Sequence, residues 1–134
     1  EDLRSAAHRA IVAFGKQIVL YPHAFAKSLA VVDLLLEGPT ELALIGAPGE
    51  AGFEALRQEI GRQYLPNRIV AHHDPTEGDP PPFPLLTGKG LVNGRAALYV
   101  CRNFTCQAPI TDPTQVASAL SPPVHQSAGG KRLT

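Results

Sequence analysis

Apolar positions follow a helical period over the first third of the chain and a strand period over the middle. Leu3, Ala7, Ala10, Ile11, Phe14 and Ile18 fall on one helical face, with Asp2 as a plausible N-cap, so residues 2 to about 20 are predicted to be helical. Arg4, Arg9 and Lys16 fall largely off that stripe. Tyr21-Pro22 breaks the pattern, because proline has no amide to donate to a continuing helix. Residues 23 to 36 predict a second helix, with Phe25, Leu29, Val32 and Leu36 as its stripe and Val31, Leu34 and Leu35 widening it. Glu37-Gly38-Pro39 is the stop. The two helices form an antiparallel hairpin with more apolar surface than a lone pair can bury, so they are expected to pack against something else.

The period then changes. Glu41 to Gly46 is a short apolar run ending in glycine, the mark of a buried strand. Ala47 to Gly52 is a turn, and Phe53 to Tyr64 predicts a helix with Phe53, Leu56, Ile60 and Tyr64 on one side. Leu65-Pro66-Asn67 ends it, and Arg68 to His73 is a second strand. Strand, helix and strand within some thirty residues predict a βαβ unit with parallel strands. Residues 74 to 90 form a proline-rich loop. Ala96 to Val100 predicts a third strand, and Thr105 to Ile110 a fourth that returns through Arg102-Asn103-Phe104. Asp112-Pro113-Thr114 places an N-cap and an N1 proline ahead of a short helix carrying Val116, Ala117 and Leu120. The expected class is α/β: a helical hairpin, then a small, mainly parallel sheet with a βαβ unit, a C-terminal β-hairpin and a helix. The expected division is 1–38 for the helical hairpin, 39–120 for the small α/β domain and 121–134 for a flexible tail.

Composition narrows the partners. A chain of 134 residues is one domain, or one with an appendage, and folds without a disulfide or metal. Twelve basic and twelve acidic residues cancel, which leaves no electrostatic reason to expect nucleic acid or an anionic membrane. No apolar run is long enough to span a bilayer. The N-terminus resembles neither a signal nor a transit peptide and lacks an initiating Met, which suggests a piece of a longer protein. With two cysteines and no secretory signal, a reducing, cytoplasmic setting is expected.

Four constellations are candidates for chemistry. Gly46 to Gly52 links a strand to a helix, where phosphate can bind, but the spacing is wrong for GxGxxG. It also lacks a P-loop lysine, Pro48 removes a donor, and Glu50 repels an anion, which favours a plain glycine turn. His72-His73-Asp74 lies at a strand end that could be a ligand edge, yet adjacent strand residues face opposite ways. A satisfied strand-end histidine beside a solvent-facing one is favoured. Cys101 and Cys106 have C-x4-C spacing. Reduced structural thiols are the favoured state. The alternatives are a labile disulfide across a small hairpin and a metal site completed by His72, His73 or His125. Thioredoxin-type activation is disfavoured, because Cys101 ends a strand and does not begin a helix. Arg102-Asn103, with Lys89 and Arg95, could hold a small anion, but a solvated hairpin edge is favoured. No catalytic residue, metal ligand set or cofactor is assigned.

The order of elements, with Tyr21-Pro22-His23-Ala24-Phe25 between the helices, then Tyr64-x-Pro66-Asn67-Arg68 and Tyr99-x-Cys101-x4-Cys106-x2-Pro109, resembles the C-terminal end of the large thioredoxin-domain-containing proteins of animals and bacteria. The resemblance covers most of residues 1 to 120. It implies a thioredoxin-like domain first and a helical α/α toroid next, with this chain holding the last toroid helices and an α/β extension. The family's reactive cysteines would lie in the absent N-terminal domain, so none carries over. The implied role is a non-catalytic accessory or interaction domain whose partner is the rest of the parent chain. The alternatives are a thiol redox role through Cys101 and Cys106, and a metal-binding module.

Overall fold

The computed structural model describes residues 2–121. Helix α1 spans Leu3–Leu20, and Tyr21 closes it by donating its N–H to the Gln17 carbonyl at 2.9 Å. The second helix begins later than its period suggests. Pro22–Phe25 forms a 3₁₀ turn with proline at its start, and α2 proper is Ala26–Glu37. Phe14 and Phe25 meet across the joint with ring centroids 6.4 Å apart. Gly38 ends α2 at φ 74°, a conformation that favours glycine, and its N–H reaches the Leu34 carbonyl at 3.0 Å.

Strand β1 (Thr40–Ile45), helix α3 (Ala51–Arg62) and strand β2 (Arg68–His73) form the expected βαβ unit, with β1 and β2 parallel. Strand β3 (Ala97–Arg102) adds antiparallel to the other side of β1, and β4 (Thr105–Cys106) folds back on β3. The sheet order is β2-β1-β3-β4. The α/β class, the βαβ unit and the closing hairpin and helix stand as expected. The balance of directions differs, with one parallel pair and two antiparallel ones. The loop over residues 74–96 stays at the end of the sheet where β2 finishes, so the chain re-enters beside β1 from that same end, with Ala97 opposite Ile45. The fourth strand is also shorter than its apolar pattern suggests. Gln107 donates to the Val100 carbonyl, and Ile110 exchanges both bonds with Leu98. Between them the outer strand spends one residue more than β3, and Pro109 has no N–H to offer, so the ladder breaks.

Alternation along β1 gives the sheet two covered faces. Leu42 and Leu44, with Leu98 and Val100 of β3, pack under Phe53, Leu56 and Ile60 of α3. Val116 and Leu120 of α4 (Val116–Leu120) complete this main core. Leu56 is fully buried, so truncating it to alanine costs about 2–5 kcal/mol. On the opposite face Ala43 and Ile45 are capped by Leu86 from the proline-rich loop, with Leu85 and Tyr99 alongside. Tyr99 pins that loop by donating its hydroxyl to the Gly90 carbonyl at 2.9 Å. Strand β2 is an edge, with Ile69 and Val70 each half exposed. The tail expected over 121–134 lies, from residue 122 on, outside the described residues, as does His125.

Candidate functional site

Two regions gather the side chains of interest. The first is the C-terminal end of β1 and β2. Gly46 is buried and adopts φ 150°, and a Cβ there would stand 2.8 Å from the Ala96 Cβ, so only glycine lets the chains approach this closely. Its N–H donates to the His73 carbonyl at 3.0 Å. The following turn uses its own donors: Gly49 N–H reaches Glu54 Oε1 at 3.2 Å, and Glu50 N–H reaches the Ala47 carbonyl. Glu54 is held below the ordinary glutamate pKa, first by its hydrogen bond from Arg57 and then by that from Gly49. The acidic side chain thus occupies the place that an anion would take.

His72 and His73 separate as strand geometry requires. The His72 ring stands edge-on to Phe53 at 4.9 Å, and its Nε2 lies 3.1 Å from the Gly46 carbonyl. His73 is buried on the other face. Asp74 is buried beside them, but it faces its own turn. It accepts from the Thr76 N–H at 2.9 Å and the Thr76 hydroxyl at 2.8 Å. The backbone bond, then the hydroxyl bond, lower its pKa against the cost of burial, and the nearby histidines add to this. The triplet His72-His73-Asp74 is therefore not brought together around one point. No group of three or more His, Cys, Asp or Glu side chains that could hold a metal occurs among the described residues.

The second region is the β3–β4 hairpin. Cys101 and Cys106 are directly opposed in the ladder, with α-carbons 3.9 Å apart, and their sulfurs are joined in a disulfide. This corrects the expectation of a reduced pair. A two-residue loop makes the cysteines direct cross-strand neighbours, a proximity that C-x4-C spacing alone leaves open. Cys101 is buried, whereas Cys106 is exposed. The loop residues Asn103 and Phe104 have φ 49° and φ 63°, the left-handed pair that a two-residue hairpin turn needs. Asn93 and Gly94 adopt the same signs, at 51° and 72°, in the Val92–Arg95 turn. There the sequence supplies the favoured Asn-Gly. At the hairpin tip it supplies phenylalanine, at a cost of about 1–3 kcal/mol. The Phe104 ring is fully exposed, at 101%.

Arg102 does not face an anion. Its guanidinium donates to the Ala119 and Leu120 carbonyls at 3.3 and 3.1 Å, and its Nε reaches Thr40 Oγ1 at 3.4 Å. It thus satisfies the open end of α4 and ties that helix to the sheet. The Asn67 side chain plays a similar part for the helical hairpin, donating to Asp33 Oδ2 at 2.5 Å, while the Asn67 backbone carbonyl accepts from Thr40 N–H. Between these two ties lies a cleft of about 570 Å³ lined by Leu36, Pro39, Tyr64, Leu65, Arg102 and Leu120. An adjoining groove of about 390 Å³ runs past Leu34, Leu36, Glu41, Ile69, Asn103 and Phe104. Sequence reasoning missed both ties and the strained tip. The repeated Asp-Pro-Thr and the Asn-Gly pair were the local signals within reach; nothing local announces the Arg102 clamp.

The arrangement of two ties, an open cleft and an uncovered helix pair can be set beside known proteins. The chain is similar to the C-terminal part of spermatogenesis-associated protein 20, a thioredoxin-domain protein. Identity with the rat protein is 27% over 115 residues, covering 82% of this chain. The mouse protein matches equally, and the human protein is 26% identical over 117 residues, covering 84% of this chain. The chain spans 14% of the length of these curated relatives. No family model matches the chain, and no solved structure matches it significantly. No helix among the described residues is long and apolar enough to cross a membrane.

Proposed function

We propose that the chain is a non-catalytic interaction domain of a larger thioredoxin-domain protein, and that its helical hairpin docks against the rest of that protein. The observation that carries this is the uncovered state of the hairpin. Helix α2 buries no residue, and among the described residues the core includes only Ile18 from α1. Leu3, Val19 and Leu36 are 87%, 81% and 77% exposed, and Val12, Phe14 and Leu20 are more than half exposed. Apolar surface on this scale is a docking face or a liability. The relatives' much greater length supplies a covering partner within one chain. A division near residue 38, with a helical unit before it and an α/β unit after it, fits the same reading. The partner is the remainder of the parent chain, and the domain calls for no cofactor, nucleic acid or membrane.

Hydrogen exchange tests this. Amides of residues 3–37 should exchange at least ~10-fold more slowly in the full-length protein than in the 134-residue chain, while β1 and β3 should differ little. Equal protection of the hairpin in both would overturn the docking role.

A further inference from the structure

We infer that the Cys101–Cys106 disulfide is a reversible thiol-exchange site, opened at Cys106 by an external dithiol, and that its reduction releases the hairpin tip. This does not depend on what the helices dock against. Three observations carry it. The bond is asymmetric: Cys106 is exposed on a two-residue edge strand, whereas Cys101 is 2% exposed beneath it. Of the two half-cystines, Cys106 is the one open to an attacking thiolate, and exposed disulfides are the exchangeable ones. Next, the link holds little else. Strand β4 pairs with β3 at Cys106 and Thr105, and Gln107 adds one bond to Val100 before the ladder breaks, so the covalent bond is a main restraint on the turn. Finally, the turn it closes forces Phe104 into a left-handed conformation that the otherwise similar Asn93-Gly94 turn gives to glycine. Breaking the bond lets that backbone relax.

The exchange balances without a cofactor. One thiolate of the dithiol attacks Cys106 Sγ, the S–S bond breaks, and Cys101 leaves as a thiolate that takes a proton from water. The second thiol of the reductant then attacks its own sulfur in the mixed disulfide and expels Cys106 as a thiolate, which is also protonated. The dithiol leaves as a cyclic or protein disulfide, so two electrons pass to the chain.

The test uses the whole chain without denaturant. Dithiothreitol should reduce the pair while the fold persists by circular dichroism. In Cys101→Ser, Cys106 should react with an aromatic disulfide at least ~10-fold faster than Cys101 does in Cys106→Ser. Phe104→Gly should shift the dithiol–disulfide equilibrium toward the closed form about 5-fold, because the relieved turn favours closure. Chymotrypsin should cleave after Phe104 only once the pair is reduced, since an extended cleft cannot admit a two-residue turn. Reduction only after unfolding would overturn the proposal. Equal or faster reaction at Cys101, or an equilibrium untouched by Phe104→Gly, would do the same.

Discussion

Asp74 and Asp112 solve the same local problem in the same way. Each precedes Pro-Thr, caps a 3₁₀ turn, and accepts from both the N–H and the hydroxyl of the threonine two residues on. Those bonds favour the carboxylate, and both pKa values are lowered in the fold. At Asp112 the hydroxyl bond leads, followed by the backbone bond, with Arg95 adding a smaller attraction. The sign follows from linkage: a carboxylate with a depressed folded pKa contributes stability above its unfolded value, about 3.9, and loses it as pH falls through the folded value. Urea midpoints are therefore expected to hold steady down to about pH 4 and then drop. In an Asp74→Asn, Asp112→Asn double variant the turns keep their acceptors and that part of the slope flattens. An unchanged slope would exclude these two groups as its source. At this scale the sequence is partly transparent. The Asp112 cap is legible because an apolar helix follows it, whereas the identical Asp74 cap is hidden by the irregular loop it introduces. The opposite facing of His72 and His73 is dictated by strand geometry alone. Phe104 is opaque, because no local rule favours a phenylalanine where a glycine fits.

Elements were readable where burial sets the period. Strands β1 and β2 and helix α3 lie close to their apolar patterns, because together they form the βαβ unit that those patterns already imply. Strand β3 runs antiparallel because the chain returns at the end of the sheet where β2 finishes, and β4 is cut short by Pro109. The state of the cysteine pair belongs to this scale as well. It follows from turn length, which spacing leaves open. Helix α4 depends on a contact from another element. Five residues cannot hold a helix by propensity, so Val116 and Leu120 anchor one side while Arg102 satisfies the last carbonyls. Arg102→Lys keeps the charge and loses the fork that reaches two acceptors. It is expected to cost about 1–2 kcal/mol in chemical denaturation, with exchange accelerated in α4 before the rest of the core. Uniform destabilisation without local opening would show that the arginine acts elsewhere.

For the whole molecule, the contrast between halves is the organising fact. The α/β part has a closed core on both faces of its sheet. The helical pair is joined to it by ties that include the hydrogen bond from Asn67 to Asp33. Sequence conveyed the surplus of apolar surface, because that is a sum over positions. It could not convey the Asp33–Asn67 tie, which joins residues 34 positions apart. One further consequence lies at the other margin of the sheet. Strand β2 offers a six-residue border beside which no strand lies among the described residues, with Ile69 and Val70 half uncovered. Such a border is a template on which a second copy can grow. Kept apart from its larger context, the chain is therefore expected to scatter light increasingly with concentration. Ile69→Lys should suppress this without lowering the melting temperature by more than a few degrees. How long a concentrated solution stays clear would then depend on the least protected strand, whatever the strength of the core.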